Sequence, residues 1–258
     1  MTVLKSARDL ELMRPACVLA QTVLDEICGF VQPGLTTQEV DLFAAERIRS
    51  YGAKSAFLGY RKYPCHVCLS VNEQVVHGLA TERRLKFGDI VSLDVGVVYN
   101  GFIGDTARTV AVGGCSVEAQ RLMDETEQSL YLGIAQAVAG NRVVDISRAV
   151  QHCVESNGFS VVREFVGHGV GRAMHEEPQV PNFDDGKKSP KLQPGMTIAI
   201  EPMVNAGSAG VRILNDGWTV VTKDGQLSAH FEHTVLVTAS EPEIMTCRAK
   251  MPLSSKAS

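Results

Sequence analysis

Residues 89–110 read DIVSLDVGVVYNGFIGDTARTV. Two apolar runs flank Asn100-Gly101, the dipeptide most characteristic of a two-residue hairpin turn with both residues at positive φ. A turn there sets Tyr99 against Phe102, Val98 against Ile103, Gly96 against Asp105 and Asp94 against Ala107. Asp94 and Asp105 become diagonal neighbours on one face, with Cβ atoms roughly 7 Å apart. Like charges so placed on a half-buried sheet repel and cannot satisfy each other. A shared proton or cations would relieve them, and two divalent metals about 3.5–4 Å apart would fit between them. A solvated polar face is the competing reading. Gly96 opposite Asp105 leaves space beside that carboxylate, which favours a site.

Outward from this hairpin, the chain shows weak self-similarity. A first helix is expected from near Ser6 through Ile27, with a kink or break at Pro15 and an end at Pro33-Gly34. Thr36-Thr37-Gln38-Glu39 is a capping box opening a second helix that stops at Tyr51-Gly52. The pattern returns: Gly140 follows Gly34 by 106 residues, Gly158 follows Gly52 by 106, and Ile146 matches Val40. Two related halves are predicted, each a helix pair followed by strands. Extended segments then run over 55–78, over 161–182, around Glu201 and around Glu232. The last is expected to pair with Gly217–Val221 through the turn Lys223-Asp224-Gly225. Residues 240–258 read as a polar tail that frays.

The bulk composition narrows the class. The 258 residues are 45% hydrophobic and 21% charged, with a formal net charge of -4, which suits one large globular domain or two small ones. The absence of a basic block argues against nucleic-acid or anionic-membrane partners. No apolar run is long enough to span a membrane, and the first residues lack the apolar core of a signal peptide, so a cytoplasmic location is expected. Seven scattered cysteines read as reduced thiols rather than a disulfide framework. Cys65-His66-Val67-Cys68 is a lone CxxC with no second pair nearby, so thiols lining a pocket or core are favoured over structural zinc.

Three further residues carry chemistry. Glu201 ends the strand TIAIEP, sharing a face with Thr197 and Ala199 before Pro202 stops it. Glu232 leads into an apolar strand in AHFEHTVLV. Taken singly, each reads as a solvated edge residue. Taken with Asp94 and Asp105 across two related halves, four carboxylates demand about two divalent cations. His168 sits between glycines in VGHGVGRAMH, which would let its imidazole approach a ligand closely. No phosphate loop or dinucleotide fingerprint accompanies those glycines. One imidazole with four carboxylates suits hard-to-borderline ions.

Five dispersed motifs occur in order: GYRKYPCHVCLSVNEQVVHG, LDVGVVYNGFIGDTART, VGHGVGRAMHEEPQVPN, GMTIAIEPMVNAG and HFEHTVLVT. Together they resemble the type I methionine aminopeptidases, of the M24 metallopeptidases, over residues 3–239. The resemblance implies an α+β pita-bread fold: two pseudo-two-fold halves, a curved antiparallel sheet and backing helices, in a single catalytic domain. It implies two divalent ions (Co, Mn, Fe or Zn) held by Asp94, Asp105, His168, Glu201 and Glu232, with Asp105 and Glu232 able to bridge. His77 and His175 match the family's two substrate-side histidines, and Phe57, Tyr60, Tyr63, Cys68, Met174 and Trp218 would line the methionine pocket. Phe57 stands where relatives often have cysteine, and Arg61 where histidine is common.

The implied reaction removes the initiator methionine from nascent chains, at the ribosome, with small second residues preferred. Glu201 would take the proton of the attacking water and pass it to the leaving amine. His175 would donate to the developing oxyanion or the scissile amide, and His77 would hydrogen-bond the departing amide nitrogen or the backbone beside it. Two alternatives are a proline-directed peptidase of the same fold, which usually carries an additional N-terminal domain, and a non-catalytic binding homologue, which typically loses ligands. Only 26 residues separate His175 from Glu201, too few for the helical insertion of the type II enzymes. A monomer is expected, because no exposed apolar stripe is evident.

Overall fold

The computed structural model describes residues 2–247. Among the described residues four α-helices form: α1 (Ala7–Phe30), α2 (Thr37–Ser50), α3 (Val117–Ala135) and α4 (Val143–Ser156). Ser6 and Thr36 cap α1 and α2, with Asp9 and Glu39 completing capping boxes. The 106-residue repeat holds at both ends of the second helix of each pair, since 37 maps to 143 and 50 to 156. It extends to the next strands, where Lys54–Ser55 maps onto Ser160–Val161. Gly34 and Gly140 share a φ of +97° at the matching turns.

A nine-stranded antiparallel sheet joins the halves. Its continuous path runs Lys54–Ser55, Ile90–Tyr99, Phe102–Ala111, Glu232–Leu236, Thr197–Ile200, Gly167–Gly169 and Glu176–Val180. Cys68–Val71 also pairs with Ile90–Tyr99, and Glu243–Ile244 with Glu232–Leu236. The hairpin register is the one expected, with Asp94 opposite Ala107 and Gly96 opposite Asp105. Asn100 (φ 51°) and Gly101 (φ 75°) form its turn.

Each half has its own buried cluster. Val23, Leu24 and Ile27 of α1 join Val40 and Ala44 of α2 against Val91, Leu93 and Val95. Leu122 and Leu130 of α3 join Ile146 and Val150 of α4 against Ile198, Ile200 and Val235. A third cluster, including Phe57, Tyr63, Phe102 and Met174, lies beside the candidate site. Where the halves meet, Thr106 Oγ1 donates to the carbonyl of Glu232 (2.9 Å) and Thr234 Oγ1 to that of Asp105 (2.8 Å). These buried hydroxyls lock the register between the two central acidic strands.

Four expectations are corrected. Helix α1 passes through Pro15 unbroken. An interior proline costs about 3 kcal/mol, but Met13, Ala16, Cys17 and Ala20 on the same stretch are fully buried and hold the helix on the sheet. Ser228–His230 pairs with Met203–Asn205, while Val220–Thr222 pairs with Val211–Ile213 and Gln74–Val76. Residues 223–226 make a corner rather than a hairpin, because the Asp224 carboxylate turns back to accept the N–H groups of Ser208 and Gln226. Beyond Ala239, Glu243–Ile244 adds to the sheet edge, Met245 and Thr246 are buried, and the Arg14 guanidinium forks onto Glu243; residues 248–258 lie outside the described part of the chain. Finally, the space over Gly96 is filled by the Phe57 ring, which a Cβ there would meet at 2.5 Å.

Helix α1 lies on the sheet at Gly104, where a Cβ would stand 2.5 Å from the Ala16 carbonyl oxygen and from Cys17 Cα. Gly104→Val should therefore lower the unfolding free energy by about 1–3 kcal/mol or more, measured by urea denaturation. An unchanged midpoint would contradict this packing.

Candidate metal centre and substrate cavity

Five neighbouring strands each deliver one side chain. In sheet order these are Asp94, Asp105, Glu232, Glu201 (the residue directly after Thr197–Ile200) and His168. Ligating atoms of Asp105, His168 and Glu232 lie within 4.8 Å of one another. His168 Nε2 is 3.4 Å from Glu201 Oε1 and 3.7 Å from Asp105 Oδ2. Its Nδ1 is 2.9 Å from the Gly169 carbonyl oxygen. A carbonyl only accepts, so Nδ1 carries the hydrogen and Nε2 presents a lone pair to the acids. The flanking glycines serve the sheet rather than a ligand: a Cβ at Gly167 would stand 2.3 Å from Ala199 O, and one at Gly169 2.5 Å from Glu177 O.

The electrostatics call for cations. One buried oxygen on each of Asp94, Asp105, Glu201 and Glu232 has no hydrogen-bond partner. Burial raises Asp94 to about 7. Burial, then repulsion among the acids, pushes Asp105, Glu201 and Glu232 well above the carboxylate range. Burial lowers His168 to about 4, keeping its imidazole neutral. Four carboxylates and one neutral imidazole, with unsatisfied oxygens converging, fit divalent cations in charge and donor type.

These groups form the floor of a cavity of about 240 Å³ whose walls include Phe57, Tyr60, Tyr63, Cys68, His77, Met174, His175 and Trp218. All six expected pocket residues and both expected substrate-side histidines thus face one space. The Tyr63 ring lies edge-on to Trp218 (5.0 Å between centroids) and to Phe57 (6.5 Å). His77 holds a left-handed φ of 58° and stands edge-on to Phe165 and Trp218. A non-glycine residue there costs roughly 1–2 kcal/mol, so the surroundings impose the conformation. His175 Nδ1 is 2.7 Å from the Tyr60 hydroxyl. Desolvation and the nearby Arg61 lower the pKa of His175 and favour neutral imidazole. A Tyr60 hydroxyl that donates to Nδ1 leaves the hydrogen on Nε2. Cys65 lies apart from the acids, its Sγ accepting from Ala80 N–H, and none of the seven cysteines forms a disulfide.

The sequence of metallopeptidase family M24 matches residues 11–239. A methionine aminopeptidase of Clostridium perfringens is 51% identical over 246 residues, covering 95% of this chain and 99% of that protein. The chain belongs to metallopeptidase family M24. The crystal structure of methionine aminopeptidase from Rickettsia prowazekii superposes with a TM-score of 0.94 at 38% identity, covering 96% of this chain and all of that one. The prolidase of Pyrococcus furiosus shares the fold at a TM-score of 0.78 and 20% identity, with 66% of its length covered. The M24 membership and the neighbouring structures establish the pita-bread fold expected from the motifs.

Sequence reasoning missed one polar group in this M24 cavity. His230 lines it, with a buried, unpartnered Nε2 lying 3.8 Å from Glu201 Oε2. His77 and His175 are therefore not the only non-ligand histidines of the motifs. Alternation in AHFEH, which puts His230 on the face of Glu232, was the available signal. Phe165, Val76 and Met203 also complete the wall unforeseen.

The raised carboxylates predict an unusual pH response for metal-free protein. As pH rises past 6.5, the ordinary histidine value, the unfolded chain loses its imidazole protons while His168 is already neutral in the folded chain, so the opposing histidine contribution fades. The folded acids still bind protons that the unfolded chain has released, so stability falls as pH rises through about 7, the folded value for Asp94. The Tm of chelator-treated protein should drop between pH 6.5 and 8, and divalent metal should abolish the drop. A rising or flat Tm in the metal-free protein would contradict the electrostatic reading.

Proposed function

We propose that this M24 chain is a methionyl aminopeptidase that hydrolyses the first peptide bond of polypeptides beginning with methionine, using two divalent ions. The observation that carries the reading is the joining, in one cavity, of the unsatisfied four-carboxylate cluster to an aromatic and sulfur-lined recess. An unbranched thioether bends to fill such a recess and makes sulfur–ring contacts. The named activity of the relatives that cover nearly the whole chain supports it. Asp94, Asp105, His168, Glu201 and Glu232 would hold the ions; Co, Mn, Fe and Zn all suit this donor set. The enzyme acts as a monomer in the cytoplasm on nascent chains, at the ribosome. Among the described residues no helix is long and apolar enough to cross a membrane.

When bound, two divalent ions supply Lewis-acid polarisation and lower the pKa of a water. Glu201 would take the proton of the attacking water and pass it to the leaving amine. His175, its Nδ1 tied to Tyr60, donates Nε2–H to the oxygen that gains charge as the carbonyl is attacked. His77, clamped between Phe165 and Trp218, hydrogen-bonds the departing amide nitrogen. Phe57, Tyr63, Cys68, Met174 and Trp218 enclose the methionine side chain.

Met-Ala-Ser should be cleaved efficiently, while Glu-Ala-Ser and a proline dipeptide should not. Preferential cleavage of the proline dipeptide would favour the proline-directed alternative. Asp105→Ala should abolish activity and weaken metal uptake, as read by calorimetry; full activity would sink the ligand assignment. His77→Ala and His175→Ala should each lower kcat at least about 100-fold, a typical loss for an oxyanion donor or acid–base group. Both should keep two bound metals, as read by elemental analysis. Loss of metal in either would show a ligand misassigned as a catalyst.

A further inference from the structure

The segment 171–176 supplies Met174 and His175 to the cavity, yet it is an irregular connection between two short strands. Its shape is held by Glu176. That carboxylate accepts the N–H groups of Arg172 (2.9 Å) and Ala173 (3.2 Å) through Oε1. Its other oxygen meets Lys5 Nζ at 2.5 Å, with the side chains only 4% and 11% exposed for Lys5 and Glu176. Gly171 makes room for the pair, since a Cβ there would stand 2.5 Å from Lys5 Cε and 2.7 Å from Glu176 Oε1. Lys5 is itself anchored, its N–H donating to the Gly195 carbonyl at 2.8 Å.

A second tether lies nearby. Asp9 in the first turn of α1 binds Arg172 at 3.1 Å, and the Arg172 guanidinium covers the Phe102 ring at 4.1 Å. Residues 5 and 9 therefore grip positions 176 and 172, and Met174-His175 is the arc between the two grips. A lysine this buried is retained only when paired. Removing it would leave the Glu176 carboxylate uncompensated beside the turn it organises.

We propose that Lys5 and Glu176 form a positioning pair through which the start of the chain sets the placement of Met174 and His175 in the cavity. This rests on the aminopeptidase reading above. Lys5 touches neither the acidic cluster nor the recess, so its effect passes through the 171–176 turn.

The test compares the metal-loaded full chain with Lys5→Met, Lys5→Arg and the neutral pair Lys5→Met/Glu176→Gln, which leaves no lone buried charge if Lys5→Met fails to fold. Lys5→Met, or the neutral pair in its place, should lose at least roughly tenfold in kcat on Met-Ala-Ser, while Lys5→Arg stays within about threefold of wild type. In a His175→Ala background the same change should cost distinctly less, because one of the two groups it positions is gone. Hydrogen exchange of segment 170–176 should be faster in the neutral variants. Wild-type kcat in the neutral variants, or the full loss repeated in the His175→Ala background, would overturn the proposal. Failure of wild type to cleave Met-Ala-Ser would overturn the aminopeptidase reading instead. The exchange measurement would then decide the positioning claim, accelerated exchange supporting it and unchanged exchange ending it.

Discussion

Four carboxylates share one buried space, and the surrounding structure answers to their repulsion. Asp94, Asp105, Glu201 and Glu232 sit on neighbouring strands with a converging, unpartnered oxygen each. Burial, joined at Asp105, Glu201 and Glu232 by mutual repulsion, shifts all four acids upward, so that without cations protons neutralise them. Such a cluster survives folding only if the strands that present it are rigid from behind. The helix pairs supply that backing, with one apolar cluster under the Asp94 side and another under the Glu201 side. Thr106 and Thr234 bridge the seam where Asp105 and Glu232 meet, so the central register does not depend on a long ladder.

The same seam explains the asymmetry of a molecule built from two similar halves. The 106-residue repeat covers helices, turns and the first strands, but the cavity walls do not repeat. The first half contributes aromatic residues from the stretch before the hairpin, with Phe57 lodged over Gly96 and Tyr63 against Trp218. The second half contributes Met174 and His175 from a turn pinned to the beginning of the chain. Both halves thus contribute to the apolar recess, through Phe57 and Tyr63 from one and Met174 and Trp218 from the other, and both contribute a histidine, His77 and His175. A substrate that is apolar at its first side chain and polar at its first peptide bond matches that lining.

Much of this was legible in the chain itself, because the decisive features are local. Asn100-Gly101 sets the hairpin, and strand alternation then puts Asp94 and Asp105 on one face without tertiary information. The capping boxes and matching glycines mark the helix pairs and their repeat. Five motifs in order carry the family resemblance and with it the residues of the cavity. What stayed hidden depends on neighbours distant in sequence. Pro15 reads locally as a break, yet the burial of Met13, Ala16 and Cys17 on the sheet keeps the helix whole. The turn at Asp224 reads as a hairpin, yet its carboxylate is drawn to Ser208 and redirects the strand.

The sequence by itself determined the repeat and the hairpin register, since turn chemistry and strand periodicity act over a few residues, and through the family resemblance it nominated five side chains of the acidic cluster. Only the tertiary structure decided that five adjacent strands would each present one of them. It alone showed that the space over Gly96 belongs to Phe57, that His230 turns its unpartnered nitrogen toward Glu201, and that Lys5 meets Glu176. Those contacts join residues as many as 171 positions apart. Packing and the need to compensate buried charge bring them together, and neither leaves a short-range pattern in the chain.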